Sequence, residues 1–162
     1  MTLQVAGFLE HSTVNGTGFR SVLFVSGCQH NCPGCQNEAM QDSHYGESLS
    51  IHEVLTRILK NKPIIDGVTF SGGEPFDQAD SLAALAKLLK AENLSIWCYS
   101  GYTYDVLAKD PKFSGLLSII DVLVDGPYVE SLYDPNLKFR GSSNQKIYEL
   151  SKGQIQKELT FE

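Results

Sequence analysis

Short β-rich segments alternate with helical patterns along most of the chain, and this alternation limits the possible fold more than any other feature. Four apolar runs predict strands, at residues 20–27, 68–70, 94–99 and 121–124, and each one ends in or runs into a turn that contains glycine. Strands separated by helices are typical of βα units in a parallel sheet.

Two amphipathic patterns predict the main helices between these strands. Ser50 is followed three residues later by Glu53, which is the spacing of a capping box at a helix start. The second helix is predicted to begin at Asp80 or Ser81, either of which could cap it. The predicted buried faces are Ile51, Val54, Leu55 and Ile58 in the first helix and Leu82, Leu85, Ala86 and Leu89 in the second.

The length of 162 residues suits one domain with its own hydrophobic core, whereas a complete eight-fold barrel usually needs about 250 residues. We therefore predict an α/β fold in which residues 1–162 form a single-domain partial, open barrel of about five or six βα units. Ligands bind at the carboxyl ends of parallel strands. The cysteine loop and the segments SGGEP, CYSGY and VDGP all follow predicted strands, so we expect one site at this rim.

Composition excludes some classes of function. The net charge of −6 and the pI near 5.2 argue against a nucleic-acid binder, which normally carries a basic surface. No apolar run approaches the roughly 18 residues that span a bilayer, and the first residues lack the pattern of a signal peptide. We therefore expect a cytoplasmic protein, in which clustered thiols are more typical of metal binding or catalysis than of structural disulfides.

Three of the four cysteines lie in one short loop, as Cys28, Cys32 and Cys35. One interpretation is a zinc site in which His30 is the fourth ligand, although zinc ligands usually come as two separated pairs. A second interpretation is a redox pair formed by Cys32 and Cys35, which leaves Cys28 unexplained. A third is a [4Fe–4S] cluster held by three thiolates, with one iron open to another ligand. The fourth cysteine, Cys98, lies inside a predicted strand and is expected to be a small buried apolar residue.

Cys-x3-Cys-x2-Cys in a loop after the first strand of a βα protein resembles the signature of the radical S-adenosylmethionine (radical SAM) enzymes. The resemblance implies that the three cysteines bind a [4Fe–4S] cluster and that SAM chelates the remaining iron. It also implies that an electron from the cluster cleaves SAM to methionine and a 5′-deoxyadenosyl radical. Gly34, Cys35 and Gln36 would then lie near the cofactor, with Gln36 where the family usually has an aromatic residue.

The segment SGGEP is by itself an ordinary turn between a strand and a helix. After the cysteine loop, it resembles the radical SAM motif that binds the amino group of the SAM methionine. The resemblance implies cofactor contacts from Ser71, Gly72, Gly73 and Glu74. Ser100 and Asp125 end the next two strands and are also candidate cofactor contacts, although both lie in sequences typical of turns.

Longer stretches narrow the resemblance to activating enzymes of glycyl-radical proteins. The segments VNGTGFRSVLFVSGCQHNCPGCQN, FSGGEP and VLVDGPYVESLYDPNLKFRGSSNQK are similar to the small activases of the anaerobic (class III) ribonucleoside-triphosphate reductase. This implies a radical SAM oxidoreductase that generates a glycyl radical on the reductase, and a low-potential electron donor such as a flavodoxin or ferredoxin. The alternatives are an activase of the pyruvate formate-lyase type, a radical SAM enzyme for a small molecule, or a non-catalytic zinc or thiol binding module.

The segment KFRGSSNQK is basic and polar within an acidic chain. We therefore expect the C-terminal segment 126–162 to contribute to partner docking, with Arg140 and Asn144 as the residues to test. The alternative is a solvated loop with no such role. The oligomeric state is open, with a homodimer among the hypotheses.

Overall fold

The computed structural model describes residues 1–28, 30, 32–35 and 38–161, and its eight strands form one mixed sheet in the order β3-β1-β2-β4-β5-β6-β7-β8. The strands are β1 (Thr2–Ser12), β2 (Arg20–Val25), β3 (Glu47–Ser50), β4 (Gly67–Gly72), β5 (Ser95–Tyr99), β6 (Val122–Asp125), β7 (Lys146–Ser151) and β8 (Gln154–Glu158). The α-helices are α1 (Ile51–Leu59), α2 (Ala79–Ala91), α3 (Tyr104–Lys109) and α4 (Ser114–Leu117). Short 3-10 helices span Glu38–Gln41, Pro75–Gln78, Pro111–Phe113 and Glu130–Leu132.

Four neighbouring strands, β2, β4, β5 and β6, are parallel and follow each other across the sheet in chain order. All four were predicted from the sequence, with ends that differ by one or two residues. Because parallel strands end at the same edge, the loops after β2, β4, β5 and β6 come together there. This edge carries the cysteine loop.

Helices cover one face of the sheet. Alternate residues of the parallel strands, such as Val68, Phe70 and Ile96, belong to the same buried cluster as Leu82 and Leu85 of α2. The capping box of α1 forms as predicted, since the Ser50 side chain accepts from the N–H of Glu53 and the Glu53 side chain accepts from Ser50. The helices therefore bury this face of the sheet in the main core.

The opposite face of the sheet carries a smaller aromatic cluster. Trp97, Val122, Val124 and Ile147 are buried there, and Phe139 and Phe161 pack against them. Arg20, 1% exposed, also lies here and donates to the carbonyls of Val68 and Ser95, with its guanidinium 5.8 Å from the centre of the Trp97 ring. Burial lowers the pKa of Arg20 to about 10.

The structure corrects two details of the prediction. The described residues contain four parallel strands joined by three helical connections, so the five or six βα units are not confirmed; the outer strands β1, β3, β7 and β8 pair antiparallel instead. Helix α2 begins at Ala79, after Gln78, which makes no side-chain cap, and Asp80 and Ser81 lie inside it. The reason is that the preceding 3-10 helix runs directly into α2.

No helix in the described ranges is long and apolar enough to cross a bilayer.

Candidate functional site

The described loops at the carboxyl edge of the parallel strands line a cavity of about 700 Å³. Each of the four parallel strands contributes to its lining, through Cys28 after β2, Gly72 of β4, Ser100 after β5 and Gly126 after β6. The predicted meeting of these segments at one site is therefore confirmed. The volume lies within the range of about 300–1,000 Å³ that is usual for cofactor sites.

All three cysteines of the loop line this cavity as free thiols that are partly exposed. Burial raises the pKa of the Cys28 thiol to about 11, and a hydrogen bond from the backbone N–H of His30 acts in the opposite direction. The N–H of Cys35 donates to the carbonyl of Cys32 at 3.1 Å, which closes a tight turn through Gly34 at a φ of 74°. This turn places Cys32 and Cys35 on the same cavity wall.

The glycines of SGGEP allow the end of β4 to pack against the start of the cysteine loop. A Cβ on Gly73 would lie 2.5 Å from the carbonyl oxygen of Gly27 and 2.7 Å from that of Met40, closer than real contacts allow. The N–H of Gly73 donates to Val25, and the N–H of Glu74 donates to Gly27, at 2.8 and 2.7 Å. The motif thus holds the cysteine loop through its backbone.

The carboxylate of Glu74 is fully buried behind the cavity and accepts four hydrogen bonds. Oε1 accepts from the N–H of Gly101 at 2.8 Å and lies 2.5 Å from Nε2 of His30. Oε2 accepts from the hydroxyl of Ser100 at 2.9 Å and from the N–H of Phe76 at 3.0 Å. A carboxylate can accept about four hydrogen bonds, so the described partners occupy the acceptor sites of Glu74. The hydrogen bond to Glu74 is the main cause that raises the pKa of His30.

A wall of the cavity that the sequence did not predict comes from residues 135–141, between β6 and β7. Phe139 lines the cavity, and its ring packs edge-on against Trp97 and Phe161, with ring centres 5.3 and 4.9 Å apart. Its φ of 67° lies in the left-handed region, which is uncommon for a residue with a side chain. Lys138 and Arg140 on either side of it also line the cavity.

Not every predicted site residue reaches the cavity. Gly34, Glu74, Asp125 and Asn144 are not among the described residues that line it, and Gln36 lies outside the described residues. Both oxygens of Asp125 accept from backbone N–H groups, those of Tyr104 at 2.7 Å and Lys146 at 3.3 Å. Burial raises the pKa of Asp125, and the two N–H groups partly oppose this. Asn144 donates to the carbonyl of Pro127 at 2.8 Å.

Other residues that were predicted for cofactor or partner contacts do line the cavity. Ser71, Gly72, Gly73, Ser100 and Arg140 all line the cavity together with the three cysteines. Cys98 is fully buried in the helix-covered core, as predicted, and burial raises the pKa of its thiol.

The donor set fits a cluster better than a single ion. In the described part of the chain, no three His, Cys, Asp or Glu side chains are grouped to hold one metal ion. A cubane, in contrast, offers each thiolate a separate iron atom. One of the two imidazole nitrogens of His30, Nε2, is already paired with Glu74. The three loop thiols around one cavity are therefore consistent with a cluster that has an open iron.

Comparisons with known proteins point the same way. Residues 14–148 match the family model of a 4Fe-4S single cluster domain. Anaerobic ribonucleoside-triphosphate reductase-activating proteins from Vibrio cholerae and Escherichia coli K12 are 39% and 35% identical to this chain, over 83% and 85% of it and 90% and 92% of their own lengths. The protein of the same name from phage T4 is 34% identical over 86% of this chain and 90% of its own.

The solved structure of QueE from Escherichia coli shares the fold. Its TM-score is 0.52, and the match covers 64% of this chain and 54% of that one at 17% sequence identity. At this identity the likeness concerns the fold alone, and it supports a mixed α/β architecture.

Proposed function

The chain belongs to the anaerobic ribonucleoside-triphosphate reductase-activating proteins of the 4Fe-4S single cluster family, and from this premise we propose that it activates an anaerobic ribonucleoside-triphosphate reductase as a radical SAM enzyme. The observation that carries the proposal is that Cys28, Cys32 and Cys35 line the same cavity as the ends of the parallel strands. A cluster bound there would face a space large enough for SAM.

The three thiolates would hold three irons of a [4Fe–4S] cluster, and the fourth iron would take SAM as its ligand. When bound, the cluster and SAM supply the one-electron chemistry: reductive cleavage of SAM to methionine and a 5′-deoxyadenosyl radical, which takes a hydrogen atom from a glycine of the reductase. The chain itself orients the cofactors and shields them from water, so no side chain is required as a general acid or base.

The proposed SAM contacts are the cavity-lining residues Ser71, Gly72, Gly73, Ser100 and Cys35. Glycines without side chains let the backbone N–H and C=O groups approach a polar cofactor. Glu74 supports this wall from behind, since its carboxylate bonds to Ser100 and Gly101. Gly34 shapes the turn that carries Cys35, and Asp125 shapes the end of β6, so both would act on the cofactor indirectly. For Gln36 the proposal rests on its place after Cys35 alone.

For the partner, we propose that the segment 126–162 contributes a docking surface. Arg140 supports this, because it lies at the cavity wall beside Lys138, the other Lys or Arg side chain among the described lining residues. Asn144 supports it less directly: its side-chain amide donates a hydrogen bond to the carbonyl of Pro127 within the same segment. We also propose that residues 1–162 form one domain, which the single continuous sheet supports.

The remaining proposals concern the shape and setting of the protein. Helices on one face and a cavity at the strand ends favour a sheet that curves as a partial, open barrel. We also propose a cytoplasmic location and a flavodoxin or ferredoxin as electron donor, on the basis of the family. A homodimer is the hypothesis for assembly; the edge strand β8, exposed along Gln154–Glu158, offers a surface on which two copies could pair.

The test is an anaerobic preparation in which iron, sulfide and zinc are measured, followed by addition of reductant, SAM and the reductase. The proposal expects iron and sulfide in equal amounts, release of methionine and 5′-deoxyadenosine, and an electron paramagnetic resonance (EPR) doublet of a glycyl radical on the reductase. The Cys28→Ala variant provides the matched negative sample.

Three outcomes would contradict it. Zinc without iron would indicate a binding module, and iron without SAM cleavage would indicate electron transfer. A glycyl radical on pyruvate formate-lyase but not on the reductase would assign the chain to the other class of activase.

A further inference from the structure

His30 connects two features of the site that are separate in the sequence. It lies between the predicted cluster ligands Cys28 and Cys32, yet its imidazole reaches Oε1 of Glu74, 44 residues away, at 2.5 Å. One residue of the cysteine loop therefore reaches a buried carboxylate at the end of β4.

The surroundings of His30 are shaped to receive its ring. A Cβ on Gly101 would lie 2.5–2.8 Å from the atoms of the imidazole, so a side chain at this position would displace the ring. The ring of Tyr102 meets the imidazole edge-on, with ring centres 4.5 Å apart. His30 is thus held by a charged partner on one side and an aromatic ring on the other.

The carboxylate in turn depends on His30. Glu74 is 0% exposed, so water cannot replace a lost partner. Its other three donors, Ser100, Gly101 and Phe76, are uncharged, and the imidazole is the one described hydrogen-bond partner of Glu74 that can carry a positive charge. Removing one partner of a buried ion pair leaves the other group without its counter-charge, which lowers the stability of the folded protein.

We propose that His30 is a positioning residue for the cluster: its side chain anchors the cysteine loop, and with it Cys28 and Cys32, on Glu74. This inference rests on the proposed function, in which Cys28 and Cys32 are cluster ligands. Solvent exposure is one of the factors that set the reduction potential of an iron–sulfur cluster. Partners that orient a ligand typically contribute about 10–100-fold to metal affinity. His30 would affect both quantities without contacting iron.

The first arm of the test uses metal-free protein and hydrogen exchange followed by mass spectrometry. His30→Leu removes the side-chain donor, while His30→Gln keeps an N–H donor. His44 provides matched controls, His44→Leu and His44→Gln, because it lies in the same loop with a side chain 93% exposed. We expect the amides of Gly27, Cys28 and Gly101 to exchange about tenfold faster in His30→Leu, less so in His30→Gln, and unchanged in the His44 variants.

The second arm uses protein reconstituted anaerobically with iron and sulfide. Iron release to a chelator should be about 10–100-fold faster in His30→Leu than in wild type, with His30→Gln in between. The reduction potential from EPR titration should differ from that of the wild type in His30→Leu, because a loosened cysteine loop changes the solvent exposure of the cluster. The His44 variants should match wild type in both measurements.

The two arms distinguish the two proposals. Exchange, iron release and potential that are all unchanged in His30→Leu would overturn the role of His30. Failure of the wild type to take up iron and sulfide would overturn the proposed function, whereas the metal-free arm would still report on the anchoring. Should His30→Leu not fold, His30→Gln and Glu74→Gln carry the same test, since both keep the size of the side chain, and wild-type behaviour in both would overturn the proposal.

Discussion

The hydroxyl of Tyr99 donates a 2.5 Å hydrogen bond to the backbone carbonyl of Phe139. This bond ties the end of β5 to the cavity wall at residues 135–141, at the position where Phe139 adopts a left-handed backbone. Tyr99 is itself a lining residue, and burial raises the pKa of its hydroxyl, so the group stays protonated and remains a donor at all ordinary pH values.

Tyr99→Phe should loosen this wall. Loss of the bond leaves a carbonyl without its partner and should lower the free energy of unfolding by about 1–2 kcal/mol. We also expect weaker SAM binding, measured by calorimetry on the reconstituted protein. Tyr104→Phe is the control, since Tyr104 donates an equivalent 2.6 Å bond to Gly153 but does not line the cavity. Equal SAM affinities in the two variants would contradict a role for the wall.

Replacing any one of Cys28, Cys32 or Cys35 with alanine should abolish retention of the cluster, because each thiolate binds its own iron. Iron and sulfide analysis after anaerobic reconstitution measures this. Cys98→Ala should keep the cluster and lower only the stability, by about 1 kcal/mol, because Cys98 is fully buried in the core. Cluster loss in Cys98→Ala, with the fold intact by circular dichroism, would argue against the three-cysteine site.

Gly73→Ala should separate the end of β4 from the cysteine loop, since the new Cβ would meet two carbonyl oxygens at 2.5 and 2.7 Å. We expect a loss of about 1–3 kcal/mol in urea unfolding, together with poor iron retention. Gly115→Ala is the matched control: its Cβ would lie 3.8 Å from that of Ala83, within helix α4. That variant should be neutral or up to about 1 kcal/mol more stable.

Asp125 should give the stability of the metal-free protein a pH dependence. Its pKa is raised in the folded state, so the folded chain binds a proton more readily than the unfolded chain, where the pKa is about 4. The stabilisation from this proton is present at low pH and is lost as the pH rises above about 4 through the raised pKa. Asp125→Asn has no carboxyl that titrates at this position. Relative to that variant, the free energy of unfolding of the wild type should therefore fall from pH 4 to pH 7 in urea titrations. A constant difference would show that Asp125 does not titrate in this window.

Arg140→Ala should weaken both docking and activation of the reductase. Arg140 donates to the carbonyl of Gln145 at 2.6 Å, which places its guanidinium at the cavity wall. A rise of about tenfold in the dissociation constant, measured by surface plasmon resonance under anaerobic conditions, would fit a contact residue. Arg57→Ala is the control, as Arg57 of α1 forms an exposed ion pair with Glu10 of β1. Unchanged affinity and activation in Arg140→Ala would refute the docking role.

The sequence by itself determined the cysteine loop and the four parallel strands, because both are marked by residues that are neighbours in the chain. The convergence of the strand ends followed from the rule that parallel strands end at the same edge of a sheet. Hydrophobic runs that end in glycine predict buried strands, and the capping box at Ser50 is a purely local pattern. The 3-10 helix before α2 was missed, since it depends on how Glu74 and Pro75 leave the sheet.

Only the tertiary structure decided the outer strands and the second wall of the cavity. Strands β1, β3, β7 and β8 are stabilised by antiparallel pairing with distant segments, and β8 is exposed along its whole length, so no apolar run marks it. Three of the four partners of Glu74 lie 26–44 positions away in the chain, and Phe139 packs on the distant Trp97, which local patterns do not record. Long-range packing thus determines which polar side chains face the cavity and which support it from behind.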